Sequence, residues 1–131
     1  MQKSAIRRER RATRRTLRAT LRARSASTRL AASCRRRPRS LATVALAAGV
    51  DRDTAAGVAG GLRSVAKRCN VAPAQTARTR RTVAGGRAHR THSVSRYSLR
   101  QVATLTAAYR PRKPEFVAAV ALIAAFAGGA A

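Results

Sequence analysis

Arginines stand at positions 7, 11, 14, 18 and 22, with Arg8 and Arg15 among them. Intervals of three and four residues bring side chains to one face of a helix. A guanidinium is always charged and presents a planar fork of donors that matches phosphate oxygens bidentately, so this spacing points to a polyanion as partner. Arg35, Arg36 and Arg37 form a second basic run. Further on, Gln75, Arg78 and Arg81 recur three residues apart, and on a helix they would project together toward base edges or phosphates. Arg80 and Arg81 precede the glycines at 85 and 86, and Arg87 and Arg90 follow them, so a hairpin turning there could lay these four basic side chains along a phosphate backbone.

Other chemistries lack their residues. Cys34, Cys69, His89 and His92 do not have the close cysteine pair or the histidine spacing of a zinc site. Gly57, Gly60 and Gly61 are not followed by the Lys-Ser/Thr of a phosphate loop. The acids are Glu9, Asp51, Asp53 and Glu115 alone; they are too scattered to hold a catalytic metal pair, and the two aspartates read as helix caps. No nucleophile stands with a base, so the sequence predicts no enzyme, no cofactor and no metal. Two thiols cannot define a disulfide framework and are read as reduced.

The whole composition agrees with a polyanion binder. The 131 residues include 29 Lys and Arg against 4 Asp and Glu, a net charge of +25. Arginine outnumbers lysine 26 to 3; GC-rich codons favour arginine too, but they also encode the aspartate and glutamate that are scarce here. Of the 45% of residues that are hydrophobic, 31 are alanine, and Leu, Ile, Val and Phe together number 23. That is enough for one small core and too little for a multi-domain enzyme.

These residues must be positioned by few elements. Residues 1–40 carry 15 basic residues and one acid, with only Ile6, Leu17 and Leu21 as an apolar seam. They are expected to be a disordered or nascently helical arm that orders on a phosphate backbone, ending in a Ser-, Thr- and Pro38-containing linker over 25–40. The same composition suits a transit peptide, and the apolar run 41–50 follows arginines as a signal sequence would, although it begins 40 residues in. Residues 41–131 are expected to form one small, mainly helical domain. Leu41, Val44, Ala45 and Ala48 share a helical face ended by Gly49, and Asp51 or Asp53 caps a helix over about 54–69.

Over 62–82 the spacing fits a helix-turn-helix: Ala66 small enough for close approach, Asn70 at the turn, Val71 after it, and Pro73 opening a second helix that would carry Gln75, Arg78 and Arg81. Thr76 and Thr79 sit where that helix needs apolar anchors. The rival reading makes 76–83 a strand, turning at 83–87 and returning through 91–94, so that a hairpin over 78–94 forms a wing. A helical hairpin follows over 98–127. Ser98 and Gln101 make a capping box, Leu99, Val102, Thr106 and Tyr109 share a face, and Pro114 and Glu115 start a final helix with Phe116, Val120, Ile123 and Phe126. That helix is the one membrane candidate, short and alanine-rich against the roughly 20 apolar residues spanning requires.

Thr91, His92, Val94 and Tyr97, with Tyr109, Arg110, Pro111, Arg112, Lys113, Pro114 and Glu115, carry a resemblance over about residues 62–120. The segment resembles small basic proteins encoded beside transfer genes on actinomycete conjugative plasmids and integrating elements. The resemblance implies a setting of plasmid transfer or spread, with transfer proteins as partners, and transfers no functional residue. Taken together, the sequence predicts a DNA-binding accessory protein in the cytoplasm, associated with nucleoid or plasmid. RNA or ribosome binding, and membrane association through the last helix, are the rival functions.

Overall fold

The computed structural model describes residues 2–82, 86 and 89–129. Five helices and one hairpin follow in the order α1 (Gln2–Arg36), α2 (Leu41–Ala47), α3 (Arg52–Arg68), β1 (Gln75–Thr82), β2 (His89–Arg96), α4 (Leu99–Ala108) and α5 (Pro114–Gly128). The protein is mainly α, with a two-stranded antiparallel sheet.

The core belongs to α2 through α5. Its fully buried large side chains are Leu41 and Val44 of α2, Val58 and Leu62 of α3, Val102 and Leu105 of α4, and Ile123 of α5. Helix α3 is central: Ala55, Val58, Ala59, Leu62, Val65 and Ala66 are all buried, at the three- and four-residue intervals of one helical face. Its start is fixed by Asp51, whose carboxylate accepts from the Thr54 N–H at 3.2 Å. These hydrogen bonds hold the Asp51 carboxyl below its ordinary range. The cap is therefore fully present at neutral pH and is lost as pH falls through that lowered value.

Two of the three glycines of α3 exist for close approach. The Phe116 ring reaches within 2.6 Å of where a Cβ on Gly57 would stand, and the Tyr109 ring and hydroxyl occupy the space a Cβ on Gly61 would need. Gly60 has nothing within 4 Å of that position. Both aromatic rings come from the α4–α5 hairpin, whose capping box is present in full: Ser98 Oγ accepts from Gln101 N–H, and Gln101 Oε1 accepts from Ser98 N–H. Pro114 opens α5, and Ala119, Ile123 and Ala127 face the core. No described helix is long and apolar enough to cross a membrane.

Two expectations are corrected. Residues 2–36, expected as a disordered or nascently helical arm running into a linker over 25–40, form one continuous helix. The stretch contains no glycine or proline, and arginine and alanine favour helix. Threonine hydroxyls return to the preceding turn: Thr28, in the stretch expected as a linker, donates to the Arg24 carbonyl at 3.0 Å, and Thr16 to that of Ala12 at 2.7 Å. The C-terminal end of α1 is held by packing, with Cys34 buried against the core, and Pro38 prevents the helix from continuing. Burial raises the Cys34 pKa, opposed by the nearby Arg39 cation, so the thiol serves as a neutral filler.

The second correction concerns 62–82. Asn70 does turn the chain in the left-handed region, at φ 54°, and Val71 N–H bonds back to the Ala66 carbonyl. No second helix follows. Residues 75–82 are strand β1, because Thr76, Thr79 and Thr82 are β-branched and offer no apolar face to anchor a helix. The hairpin pairs Gln75 with Arg96 through Thr82 with His89, so it is longer at its base than the predicted 78–94. Of the predicted turn at 83–87, only Gly86 is described, at φ 79°.

Two measurements test this packing. In urea unfolding, Gly61→Ala should destabilise by about 1–3 kcal/mol through overpacking against Tyr109, whereas Gly60→Ala should stabilise by about 0.5–1 kcal/mol. Equal effects at the two positions would contradict the close approach. In native protein, exposed Cys69 should react quickly with a thiol reagent while Cys34 waits for unfolding; matching rates would mean that the end of α1 is not docked.

Candidate nucleic-acid interface

Helix α1 runs about 50 Å at 1.5 Å per residue, and every side chain from 2 to 29 is exposed. Advancing 100° per residue, Arg7, Arg11, Arg14, Arg15, Arg18, Arg22 and Arg29 fall within an arc of about 100°, with Arg8 and Arg10 at its flanks. Ala5, Glu9, Ala12, Thr16 and Ala23 lie on the far side, so the one acid of α1 points away from this arc, while Arg24 stands outside it. Ile6, Leu17 and Leu21 border the basic arc and stay 47%, 59% and 63% exposed; they do not fold the helix back onto the core.

This face repels itself. Arg7 and Arg11, Arg10 and Arg14, Arg11 and Arg15, Arg14 and Arg18, and Arg18 and Arg22 are like charges four residues apart. Each such pair opposes the helix by about 0.2–0.5 kcal/mol, a penalty relieved by an anion lying along the face. The helix is thus coupled electrostatically to whatever neutralises it.

The second basic run closes α1. Arg35 lies over the Phe126 ring, 5.4 Å from its centre, Arg36 Nε donates to the Ala32 carbonyl and Arg37 Nε to Ser33 Oγ. Part of each side chain's hydrogen-bonding or stacking capacity is therefore used within the protein, unlike the arginines between 7 and 22.

The hairpin is anchored at its base from both sides. Arg39 and Tyr97 exchange two backbone hydrogen bonds, at 2.9 and 3.2 Å, joining β2 to the connection between α1 and α2. Gln101 Nε2 donates to the Ala72 carbonyl at 2.7 Å, tying the approach to β1 to the start of α4. Thr79 Oγ1 and His92 Nε2 stand 3.2 Å apart across the strands.

Gln75, Arg78 and Arg81 therefore do not form the triad that a recognition helix would present. Strand alternation puts Gln75 and Arg78, both exposed, on opposite faces of the hairpin. Arg78 shares its face with Arg80, and the register sets Arg81 opposite Arg90 in the backbone ladder. Arg87 lies outside the described residues. Among the described residues, no three His, Cys, Asp or Glu side chains stand together.

Two further arginines join the basic surfaces in the structure. Arg10 belongs to the basic face of α1, and its four-residue interval to Arg14 was the available signal. Arg63 owes its placement to helix packing, for which the sequence carried no comparable sign, whereas Arg80 stands on the hairpin where the sequence places it.

Because the arginine face is self-repelling, helicity should rise when an anion neutralises it. Adding duplex DNA or sulfate should increase the helical circular dichroism, and a chain lacking residues 1–28 should lose that response. An unchanged spectrum in the full-length protein would show that the face is not under electrostatic strain. Compared with other proteins, the chain matches no family model, no curated protein and no solved structure.

Proposed function

We propose that the protein is a nucleic-acid-binding accessory protein that holds duplex DNA by its phosphate backbone through the arginine face of α1. The observation that carries this reading is the continuous, exposed array of arginines on one side of α1, with no carboxylate on that side. From Arg7 to Arg22 the helix rises about 22 Å and carries eight arginines, while a duplex presents about 13 phosphates over the same length. The two line densities of charge are comparable, so the array can displace a row of condensed counterions.

Duplex DNA is favoured over single strands and over RNA by two further features. All four aromatic side chains are occupied in the helical body: Tyr97 is buried, and Tyr109, Phe116 and Phe126 pack against the core. None is free to stack on an unpaired base, the usual means of gripping single strands. A single helix about 10–12 Å across fits the major groove of B-form DNA, whereas the deep, narrow major groove of A-form RNA excludes it.

With the recognition helix replaced by a strand, affinity is expected to come from charge and to vary little with base sequence. The setting of plasmid transfer, with transfer proteins as partners and association with nucleoid or plasmid, rests on the resemblance in residues 62–120 alone.

The deciding experiment is a salt titration of duplex binding. Log affinity should fall linearly with log salt, and replacing Arg11, Arg14, Arg18 and Arg22 together by alanine should flatten the slope by about 3–4, at roughly 0.9 per lost phosphate contact. An unchanged slope in that variant would overturn the role of α1.

A further inference from the structure

A cleft of about 390 Å³ opens between the hairpin and the helical body, lined by Ser40, Arg63, His92, Ser93, Val94 and Ser95. Four consecutive residues of β2 line it. Because alternate strand residues point to opposite faces, a run of four can share a cleft only along the strand's edge. The opposite edge of β2 is paired with β1, so this edge carries backbone N–H groups without a ladder partner.

The side chains around the cleft are rich in donors and lack acids. Among the described residues, neither the Arg63 guanidinium nor the hydroxyls of Ser93 and Ser95 has a hydrogen-bond or ion-pair partner. Ser40 Oγ is already engaged with Thr43 and His92 Nε2 with Thr79, which leaves His92 its Nδ1. Every acid of the protein sits elsewhere: Glu9 on α1, Asp51 and Asp53 at the start of α3, and Glu115 at the start of α5. An unpaired guanidinium facing hydroxyls and edge N–H groups, with no carboxylate to neutralise it, suits a ligand that only accepts hydrogen bonds and carries negative charge.

We propose that this cleft binds a phosphate group of a nucleic-acid strand, held by Arg63 from α3 and by Ser93 and Ser95 from β2. The source of the phosphate rests on the nucleic-acid reading above; the site itself does not depend on α1. The cleft follows directly on the residues that end α1, since Ser40 lines it and Arg39 is bridged to Tyr97 at the base of β2. A duplex gripped by the arm would therefore meet a second, localised contact at the hairpin, which would fix where along the strand the helical body sits.

The test uses the full-length, isotope-labelled protein and inorganic phosphate as probe. Saturable amide shifts should appear at Ser93 and Ser95, and Arg63→Ala, an exposed substitution that should fold, should weaken that phosphate binding about tenfold. In duplex titrations Arg63→Ala should flatten the salt slope by about 1, while Arg52→Ala, an exposed arginine at the far end of α3, should leave it unchanged. Duplexes with and without 5′-phosphates separate the sources: a preference for phosphorylated ends assigns the site to termini, equal binding assigns it to internal phosphates, and both support a phosphate site. Absence of a saturable shift at Ser93 and Ser95, or equal slope changes for Arg63→Ala and Arg52→Ala, would overturn it. Failure of the cleft leaves the α1 quadruple variant's slope change intact. Failure of the α1 reading would instead appear as an unchanged slope in that variant, with phosphate still shifting Ser93 and Ser95.

Discussion

Tyr109 and Phe116 can close on α3 because Gly61 and Gly57 leave its backbone bare, and the rest of the molecule depends on that contact. A chain whose apolar residues are mostly alanine cannot fill space with bulk, so its helices must approach closely for small side chains to touch. The α4–α5 hairpin packs its two aromatic rings against the glycines. Around that contact Leu62, Leu105 and Ile123 become fully buried. Each glycine weakens α3 by about 0.8–1 kcal/mol relative to alanine. Packing offsets that cost at Gly57 and Gly61, while Gly60 makes no such contact.

The core in turn allows the charge to be segregated. With 29 basic residues and 4 acids, a compact body carrying all the charge would repel itself from every side. Residues 1–40 hold 15 of the basic residues, and α1 carries most of them outward on a helix that touches the body only near its end. There Cys34 is buried and Arg35 lies over Phe126. Repulsion remains within the helix, between arginines four residues apart, and a polyanion can relieve it without disturbing the core. The hairpin stands apart in the same way, anchored at its base by Arg39 with Tyr97 and by Gln101 with Ala72.

Local signals read from the sequence were reliable wherever a single turn of chain decides the structure. The capping box of Ser98 and Gln101, the cap at Asp51, the glycine at 49 with φ 96° and the proline opening α5 all stand as their residue types require. Each depends on hydrogen bonds or torsions within a few residues, and the sequence contains all the partners. The failures were of another kind. Thr28 stands in the stretch 25–40 expected as a linker, yet it bonds the carbonyl four residues back, as Thr13, Thr16 and Thr20 do. Asn70 and Val71 turn the chain as a helix-turn-helix would, but β-branched residues then found a cross-strand partner in residues 89–96.

The sequence by itself determined the sign and density of the charge, the position of each helix in the body, and the arginine periodicity from 7 to 22, because these follow from composition and from intervals within one element. Only the tertiary structure decided that residues 75–82 extend as a strand, that Gln75 and Arg78 part to opposite faces, and that Arg63 comes to lie beside Ser93 and Ser95. Those residues are about 30 apart in the chain. Their meeting depends on the clamp between Arg39 and Tyr97 and on how α3 is packed, and no local pattern of residue types encodes a contact that two separately folded elements must make.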